Sequence, residues 1–314
     1  MAVAFAFNFA RGIAQPHPPW YHGRVRLPLA LAQMSTLLGN VAGNLEKHIQ
    51  LAREARRQGA ELILFPELSL TGYVLQDLAS TVACRPVEDD PVFSVLLRES
   101  MSIDLVVGFV EEDRRNRFFI AGAYLSRGQV VHVHRKVYLP TYGLFDEGRF
   151  FASGDQVRAF DTRWGRMGLL ICEDFWHASP PYLLWLDGAD ILLFMSSSPG
   201  RGLYQEGVLE SAWWVEQVNQ SYASLFTSFV AHTNKVGFED GLNFWGGSTV
   251  FDPNGRRVAR APFHEESLTR VDLDLNQLHR TRARLPLLRD ERTELVLREL
   301  QRVRAQGGPP NNFG

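Results

Sequence analysis

Short apolar runs alternate with longer amphipathic stretches along most of the chain. Within 41–58, apolar residues recur every three or four positions, and Gly59 follows them as a helix C-terminus favours. Further helices are predicted near 204–220 and from about Asp290 onwards. The apolar runs predict strands at 27–33, 61–65, 104–110, 117–125, 129–134, 167–171 and 190–194. This alternation of strands and helices is typical of an α/β fold.

The later part of the chain adds a hairpin signal to this pattern. Stretch 247–259 places Asp-Pro-Asn-Gly, a strong turn signal, between two β-prone runs. No internal repeat and no linker divides the sequence, so we predict a single main domain. The predicted divisions are an extension of unknown role at 1–26, the α/β domain at 27–278, and a C-terminal helix or arm with a flexible tail at 279–314.

Composition and charge narrow the classes of function. The 314-residue chain is 45% hydrophobic and 22% charged, which is ordinary for a globular protein. The formal net charge of −2 indicates no basic surface for nucleic acid or for an anionic membrane. No apolar run approaches the ~20 residues of a membrane span. Segment 1–26 lacks the basic start of a signal peptide, and Cys84 and Cys172 are too few for a disulfide framework, so we expect a cytoplasmic protein.

Three chemically reactive side chains follow three of the predicted strands. Glu67 comes just after 61–65, Lys136 after 129–134, and Cys172 directly after 167–171. In α/β folds, chemistry gathers at the carboxyl ends of strands and in the loops that follow them. A carboxylate there can act as general base toward a thiol, and an ammonium can stabilise an oxyanion.

Each of the three also has a purely structural interpretation. A cysteine that ends an apolar strand is usually packing, Glu67 could cap a turn, and Lys136 could belong to a solvated basic face. A metal site is the less favoured alternative, because the chain has no C-x-x-C motif. His132 and His134 make only a weak pair without further ligands at suitable spacing. Position alone therefore leaves the role of Cys172 open between packing, metal binding and nucleophile.

The neighbours of these residues carry a family resemblance. The stretches "ELILFPELSLTGY", "QVVHVHRKVYLP" and "MGLLICEDFW", in this order, resemble the glutamate–lysine–cysteine motifs of the nitrilase, or carbon-nitrogen hydrolase, superfamily. The resemblance runs from about Leu27 to about Asp290 and includes "NKVGFEDGLNFWGGSTVFDPNG" at 234–255. It implies a Glu-Lys-Cys triad of Glu67, Lys136 and Cys172.

Within the superfamily, the sequence is most similar to the glutaminase domain of glutamine-dependent NAD synthetases. "HRKVYLPTYGLFDEGRFF" and "CEDFW" carry that similarity. Those synthetases have a second, ATP-binding domain, whereas this sequence stops at Gly314 and shows no P-loop. We therefore expect a free-standing hydrolase domain and no NAD synthesis by this chain alone.

The resemblance also implies a mechanism and a wider set of site residues. Glu67 would deprotonate Cys172, and the thiolate would form a thioester intermediate with the substrate. Lys136, which would also favour the thiolate, and the backbone N–H of Glu173 would hold the oxyanion. Glu147 matches a second glutamate of the family that orients substrate or water. The candidate substrate-binding residues are Tyr73, Tyr142, Glu173, Trp176 and Ser198.

The resemblance implies a four-layer α-β-β-α sandwich, commonly paired into a homodimer or a higher homo-oligomer. The C-terminal segment is expected to reach over the neighbouring subunit, the alternative being a solvated helix with an apolar stripe that packs on the core. The expected activity is an amidase releasing ammonia from a small carboxamide, an ω-amide such as glutamine being favoured, with water as co-substrate. We expect no cofactor, no metal, no nucleic acid and no membrane partner. The alternatives are a nitrilase or N-carbamoyl hydrolase, and a catalytically silent binding protein or ammonia-donating subunit.

Overall fold

The computed structural model describes residues 26–202, 204–205 and 208–307. All of the predicted extension except Arg26 lies outside the described residues. The predicted flexible tail lies outside them from position 308 onwards.

The described residues form strands and helices in the following order. The strands are β1 (Arg26–Gln33), β2 (Leu62–Leu64), β3 (Asp104–Glu112), β4 (Phe118–Ser126), β5 (Gln129–Arg135), β6 (Phe160–Thr162), β7 (Gly165–Ile171), β8 (Ile191–Ser196), β9 (Tyr204–Gln205), β10 (Val208–Leu209), β11 (Phe229–Asn234), β12 (Val236–Glu239), β13 (Leu242–Trp245), β14 (Thr249–Phe251), β15 (Arg257–Arg260) and β16 (Ser267–Asp274). The α-helices are α1 (Val41–Arg57), α2 (Ala79–Val82), α3 (Pro91–Glu99), α4 (Ser179–Leu186), α5 (Glu210–Phe226), α6 (Asn276–Arg284), α7 (Leu287–Asp290) and α8 (Thr293–Ala305). Short 3-10 helices span Gln76–Leu78, Glu147–Arg149 and Cys172–Phe175.

Two six-stranded sheets form the centre of the fold. The first has the order β16-β1-β2-β3-β4-β5, and β1, β2 and β3 are parallel. The second has the order β15-β14-β11-β8-β7-β6, and β11, β8 and β7 are parallel. Two antiparallel steps lead from β3 to β5, so β5 runs in the same direction as β2. The ends of β2 and β5 therefore share one edge of the first sheet, and those of β7, β8 and β11 share one edge of the second.

The sheets pack face to face and helices cover their outer faces. Along β1, Leu29 and Leu31 face the core between the sheets, while Ala30 and Ala32 face α1 and α3. The second sheet packs its other face on α4 and α5. Both faces of each sheet are thus buried, which explains the apolar runs in the parallel strands, such as Ile191–Met195 of β8. The four-layer α-β-β-α sandwich expected from the sequence is confirmed.

The helix predicted near 204–220 differs from the observed one at its start. Residues 204–205 and 208–209 pair as the short antiparallel strands β9 and β10. Leu209 is still extended, with φ −68° and ψ 135°, so α5 begins only at Glu210 and continues to Phe226. Tertiary pairing therefore overrides the helical periodicity at this point.

The C-terminal segment begins inside the body of the fold and ends outside it. Helix α6 spans the predicted division at 278/279 and buries Leu278 and Thr281. Helix α8 buries no residue, and it exposes Leu297 and Leu300 among its apolar side chains. Its role as an arm over a neighbouring subunit remains a prediction. Within the part of the chain described here, no helix has the length and apolar character that crossing a membrane requires.

Candidate active site

The three reactive residues singled out in the sequence lie at neighbouring strand ends. Glu67 follows β2 by three residues, Lys136 directly follows β5, and Cys172 directly follows β7. All three side chains are buried, and Lys136 has no exposed surface. The first two belong to one sheet and the third to the other, so the structure brings them together at the edge that the two sheets share.

The ammonium of Lys136 bridges two buried carboxylates. Its Nζ donates to Oε1 of Glu67 at 2.8 Å and to Oε1 of Glu147 at 2.7 Å. Burial alone would lower the pKa of Lys136, but the charges of Glu147, Glu67 and Cys172 outweigh it and hold that pKa well above its ordinary value. Lys136 is therefore a permanent cation, suited to stabilising a negative charge that develops beside it.

Glu147 has one engaged oxygen and one free oxygen. Oε1 accepts from Lys136 and, at 2.6 Å, from the hydroxyl of Tyr73. Oε2 is buried without a hydrogen-bond partner among the described residues. Burial raises the pKa of Glu147 to about 7; Lys136 opposes the rise and the charge of Glu67 adds to it. The unpartnered oxygen can therefore accept a hydrogen bond from a substrate amide or from water.

Cys172 is held as a thiol in a strained backbone position. Burial raises its pKa well above the ordinary value, Glu67 and Glu147 raise it further, and Lys136 opposes them. Lys136 thus favours the thiolate, but burial and the charges of the two glutamates outweigh its effect. Cys172 has φ of 47°, a left-handed conformation that costs on the order of 1–3 kcal/mol in residues other than glycine.

The position of Glu67 depends on Ser197, which the sequence interpretation overlooked. The N–H of Ser197 donates to Oε2 of Glu67 at 2.8 Å, and its hydroxyl donates to the Glu67 carbonyl at 2.8 Å. The strand β3 also approaches closely here. A Cβ at Gly108 would lie 2.5 Å from the carbonyl oxygen of Pro66 and 2.6 Å from the nitrogen of Leu68. The three consecutive serines at 196–198, which begin at the last residue of β8, are the only sequence signal for this contact.

Asp174 is a second residue that the sequence interpretation overlooked. Its Oδ1 accepts from the N–H groups of Val137 and Tyr138, each at 2.9 Å. Its Oδ2 lies 2.8 Å from Nε2 of His134 and accepts from the N–H of Ile171 at 3.2 Å. One carboxylate therefore ties both flanks of Lys136 to the turn that presents Cys172. In the sequence, the only indication of this role was the acidic pair Glu173-Asp174 directly after Cys172.

A cavity of about 640 Å³ opens onto Cys172. Four of the five predicted substrate-binding residues line it, namely Tyr142, Glu173, Trp176 and Ser198, together with Arg201 from the same loop region. The hydroxyl of Tyr142 donates to Glu173 at 2.9 Å. A carboxylate and a guanidinium therefore line the same cavity as the candidate nucleophile.

Tyr73 lies in a different place from the other predicted substrate-binding residues. It lines a separate cavity of about 440 Å³ together with Glu147 and Phe145. Its hydroxyl is engaged with Glu147, and burial, followed by the charge of Glu147, raises its pKa well above the ordinary value. Tyr73 therefore contacts Glu147 from the second cavity and does not line the cavity at Cys172.

The two histidines of β5 are engaged in packing and hydrogen bonding. The ring of His132 stacks on Phe160 with centroids 4.3 Å apart, and His134 contacts Asp174. Burial, with a smaller effect of His134, lowers the pKa of His132 to about 4. Across 26–202, 204–205 and 208–307, no group of three His, Cys, Asp or Glu side chains is arranged to hold a metal ion.

Comparison with known sequences places these residues in a family. The carbon-nitrogen hydrolase family matches residues 28–283. The glutamine-dependent NAD(+) synthetase of Acinetobacter baylyi is 32% identical over 251 residues, which cover 79% of this chain and 44% of that protein. The Thermotoga maritima enzyme of the same name is 31% identical over 259 residues, or 80% and 43%. The chain thus spans less than half the length of these curated relatives.

Solved structures agree with the sequence matches. The glutamine-dependent NAD+ synthetase of Acinetobacter baumannii, solved with ADP, has a TM-score of 0.71 at 32% identity, covering 81% of this chain and 46% of that one. A mutant of the amidase from Nesterenkonia sp. AN1, showing covalent addition of the acetamide moiety of fluoroacetamide at its active site cysteine, has a TM-score of 0.72 at 25% identity, covering 87% and 96%. On these grounds the chain belongs to the carbon-nitrogen hydrolase family.

Proposed function

We propose that the protein is an amidase that releases ammonia from the ω-amide of a small amino acid such as glutamine, through a thioester on Cys172. The observation that carries the proposal is the hydrogen-bonded set of Glu67, Lys136 and Glu147, buried beside a cysteine at the end of a cavity. The amidase and glutamine-dependent relatives support the same reaction class.

The first half of the reaction transfers the acyl group to sulfur. Glu67 takes the proton of the Cys172 thiol, and the thiolate attacks the amide carbon. The oxyanion accepts hydrogen bonds from Lys136 and from the backbone N–H of Glu173. When the C–N bond breaks, Glu67 returns the proton to the leaving nitrogen, and ammonia departs from the thioester.

The second half restores the enzyme. Glu67 deprotonates a water molecule, which attacks the thioester carbonyl while Lys136 again stabilises the oxyanion. The C–S bond then breaks, the carboxylic acid leaves, and Cys172 regains its proton. Throughout, the free oxygen of Glu147 orients the substrate amide or the attacking water, since its other oxygen is engaged.

The charges lining the cavity support an amino-acid amide as substrate. Glu173 and Arg201 are of opposite sign and line the same cavity as Cys172. An α-ammonium group can pair with the carboxylate, and an α-carboxylate can pair with the guanidinium, which is suited to planar anions. The amide of the same molecule then points toward Cys172. A simple aliphatic amide would pair with neither charge, and Glu173 would keep its existing contacts to Tyr142 and His177.

An ammonia-release assay over several substrate classes tests this function. Glutamine should react faster than butyramide, whereas aliphatic nitriles and N-carbamoyl amino acids should react slowly or not at all. A preference for nitriles or carbamoyl compounds would support the within-family alternatives instead. Absence of turnover on every class, with Cys172 unreactive, would support the silent binding protein.

A second candidate function is an ammonia-donating subunit of a larger assembly. The relatives named as glutamine-dependent NAD(+) synthetases, which this chain matches over less than half their length, favour it. The same glutamine hydrolysis would then supply ammonia to a separate synthetase partner. Co-purification followed by a coupled glutamine-dependent assay distinguishes it from a free amidase. The homodimer and the cytoplasmic location remain predictions.

A further inference from the structure

A second buried ion pair lies behind the candidate active site. Lys235 follows β11 directly, Glu239 ends β12, and both are almost fully buried. Nζ of Lys235 contacts Oε2 of Glu239 directly. Burial lowers the pKa of Lys235, and the charges of Glu239 and Glu67 oppose that change. The mechanism described above uses neither residue.

The carboxylate of Glu239 binds the backbone of a neighbouring loop. Its Oε1 accepts from the N–H of Tyr73 at 2.5 Å and from the N–H of Val74 at 2.6 Å. Its Oε2 accepts from the hydroxyl of Thr36 at 3.1 Å. The carboxylate therefore satisfies two consecutive backbone donors of a partly buried loop.

The loop held in this way delivers the Tyr73 hydroxyl to Glu147. Gly72 precedes Tyr73 with φ of +84°, and a Cβ there would lie 3.0 Å from Oε2 of Glu239. The loop thus sits against Glu239 with no space for a side chain between them. The ring of Phe244 lies 6.0 Å from that of Tyr73, edge to face, and 4.7 Å from Nζ of Lys235.

We propose that Glu239, paired with Lys235, is a positioning residue: it fixes the Tyr73–Val74 backbone so that the Tyr73 hydroxyl holds Glu147 against Lys136. The proposal rests on the function proposed above, in which Glu147 orients substrate or water. Glu239 itself touches neither Cys172 nor Lys136 in the contacts described. Its effect on turnover passes through the tyrosine hydroxyl.

Two double variants separate the hydrogen bonds from the charge. Lys235→Met/Glu239→Gln removes the ion pair but keeps an oxygen that can accept from the loop. Lys235→Met/Glu239→Leu removes the ion pair and the acceptor together. Because a slip of about 1 Å can cost about 10²-fold in rate, we expect kcat to fall by about that factor in the Leu variant and to be largely rescued in the Gln variant. The exposed pair of Arg289 and Asp290, replaced by Met and Leu, is the control.

The same variants in a Tyr73→Phe background test the route of the effect. Tyr73→Phe alone should lower kcat, and the Leu double variant should then add little, because the hydroxyl it displaces is already absent. A further loss of similar size in that background would overturn the proposal. If the Leu variant does not fold, Gly72→Ala displaces the same loop and should show the same dependence on the Tyr73 hydroxyl.

Hydrogen exchange of the peptide 70–78 keeps this proposal distinct from the proposed function. The Leu double variant should speed exchange of these amides, and the Gln variant should slow it again. Unchanged exchange in the Leu variant would overturn the positioning role. Failure of the wild-type protein to release ammonia from any amide, with exchange behaving as expected, would overturn the proposed function alone.

Discussion

Asp174 and His134 join the two halves of the candidate site through a buried contact of 2.8 Å between Oδ2 and Nε2. His134 lies on β5 of the first sheet, and Asp174 lies in the turn after β7 of the second. Because Lys136 and Cys172 are each two residues away from one of these partners, the contact fixes the distance between the cation and the thiol.

Replacing Asp174 with Asn should loosen this connection. An Asn side chain can still accept from one pair of N–H groups, but its amide then faces the donors of His134 and Ile171. A buried donor left unpaired costs about 1–3 kcal/mol, so we expect a loss of that order in the free energy of unfolding, measured with urea, together with a lower kcat. Asp290→Asn, in an exposed ion pair, should change stability little. Unchanged stability and kcat in Asp174→Asn would show that Asp174 does not hold the two halves of the site together.

Glu147 should leave a signature in the pH dependence of stability. Its pKa is raised to about 7 in the folded state, mainly by burial, so the folded protein binds this proton more tightly than the unfolded chain does. Its stabilising contribution is therefore fully present below about pH 4.5 and is lost as the pH rises to about 7. The size of the effect is on the order of 3 kcal/mol.

The variant Glu147→Gln separates the effect of Glu147 on the pH dependence of stability from the opposite effect of buried histidines. Burial lowers the pKa of His232 to about 3 and of His48 to about 4. The folded protein therefore loses the stabilisation that these neutral histidines contribute as the pH falls. The difference between wild type and Glu147→Gln removes their common effect. The free energy of unfolding of the wild type should fall relative to that of Glu147→Gln as the pH rises from about 4.5 to about 7. A pH-independent difference would show that Glu147 titrates normally.

Arg201 should discriminate between charged and uncharged amides. If its guanidinium binds the α-carboxylate, Arg201→Met loses a hydrogen bond to a charged group, which corresponds to roughly a 10- to 100-fold rise in KM for glutamine. Butyramide has no carboxylate, so its kcat/KM should hardly change. Arg158→Met, an exposed arginine elsewhere, is the control. Equal losses for both substrates would exclude carboxylate binding by Arg201.

The sequence predicts the position of the reactive residues better than their supporting contacts. Glu67, Lys136 and Cys172 could be proposed together because each follows a predicted strand, where chemistry gathers in α/β folds, and because the motifs around them resemble those of the carbon-nitrogen hydrolase superfamily. The support of Glu67 could not be assigned among three adjacent serines. Ser197 provides it while the neighbouring Ser198 lines the cavity, because that choice depends on how the backbone turns after β8.

Long-range contacts account for most of what the sequence could not provide. Tyr73 was expected at the substrate, yet its partner is Glu147, 74 positions later in the chain. Glu239 reaches the Tyr73 loop from 166 positions away. Local periodicity carries no information about such pairs. The same holds for the start of α5 at Glu210, which pairing between β9 and β10 determines.

In the proposed mechanism, Glu67 is the base that activates Cys172, while Glu147 only orients the substrate amide or the attacking water. The most direct measurement is the intact mass of the protein after reaction with an activated acyl donor. Wild type and Cys84→Ala should gain one acyl group, and Cys172→Ala should gain none. Glu147→Gln should still be acylated although its turnover is slow, whereas Glu67→Gln should not be acylated. Acylation of Glu67→Gln at the wild-type rate, with loss of acylation in Glu147→Gln, would contradict the assignment of the base.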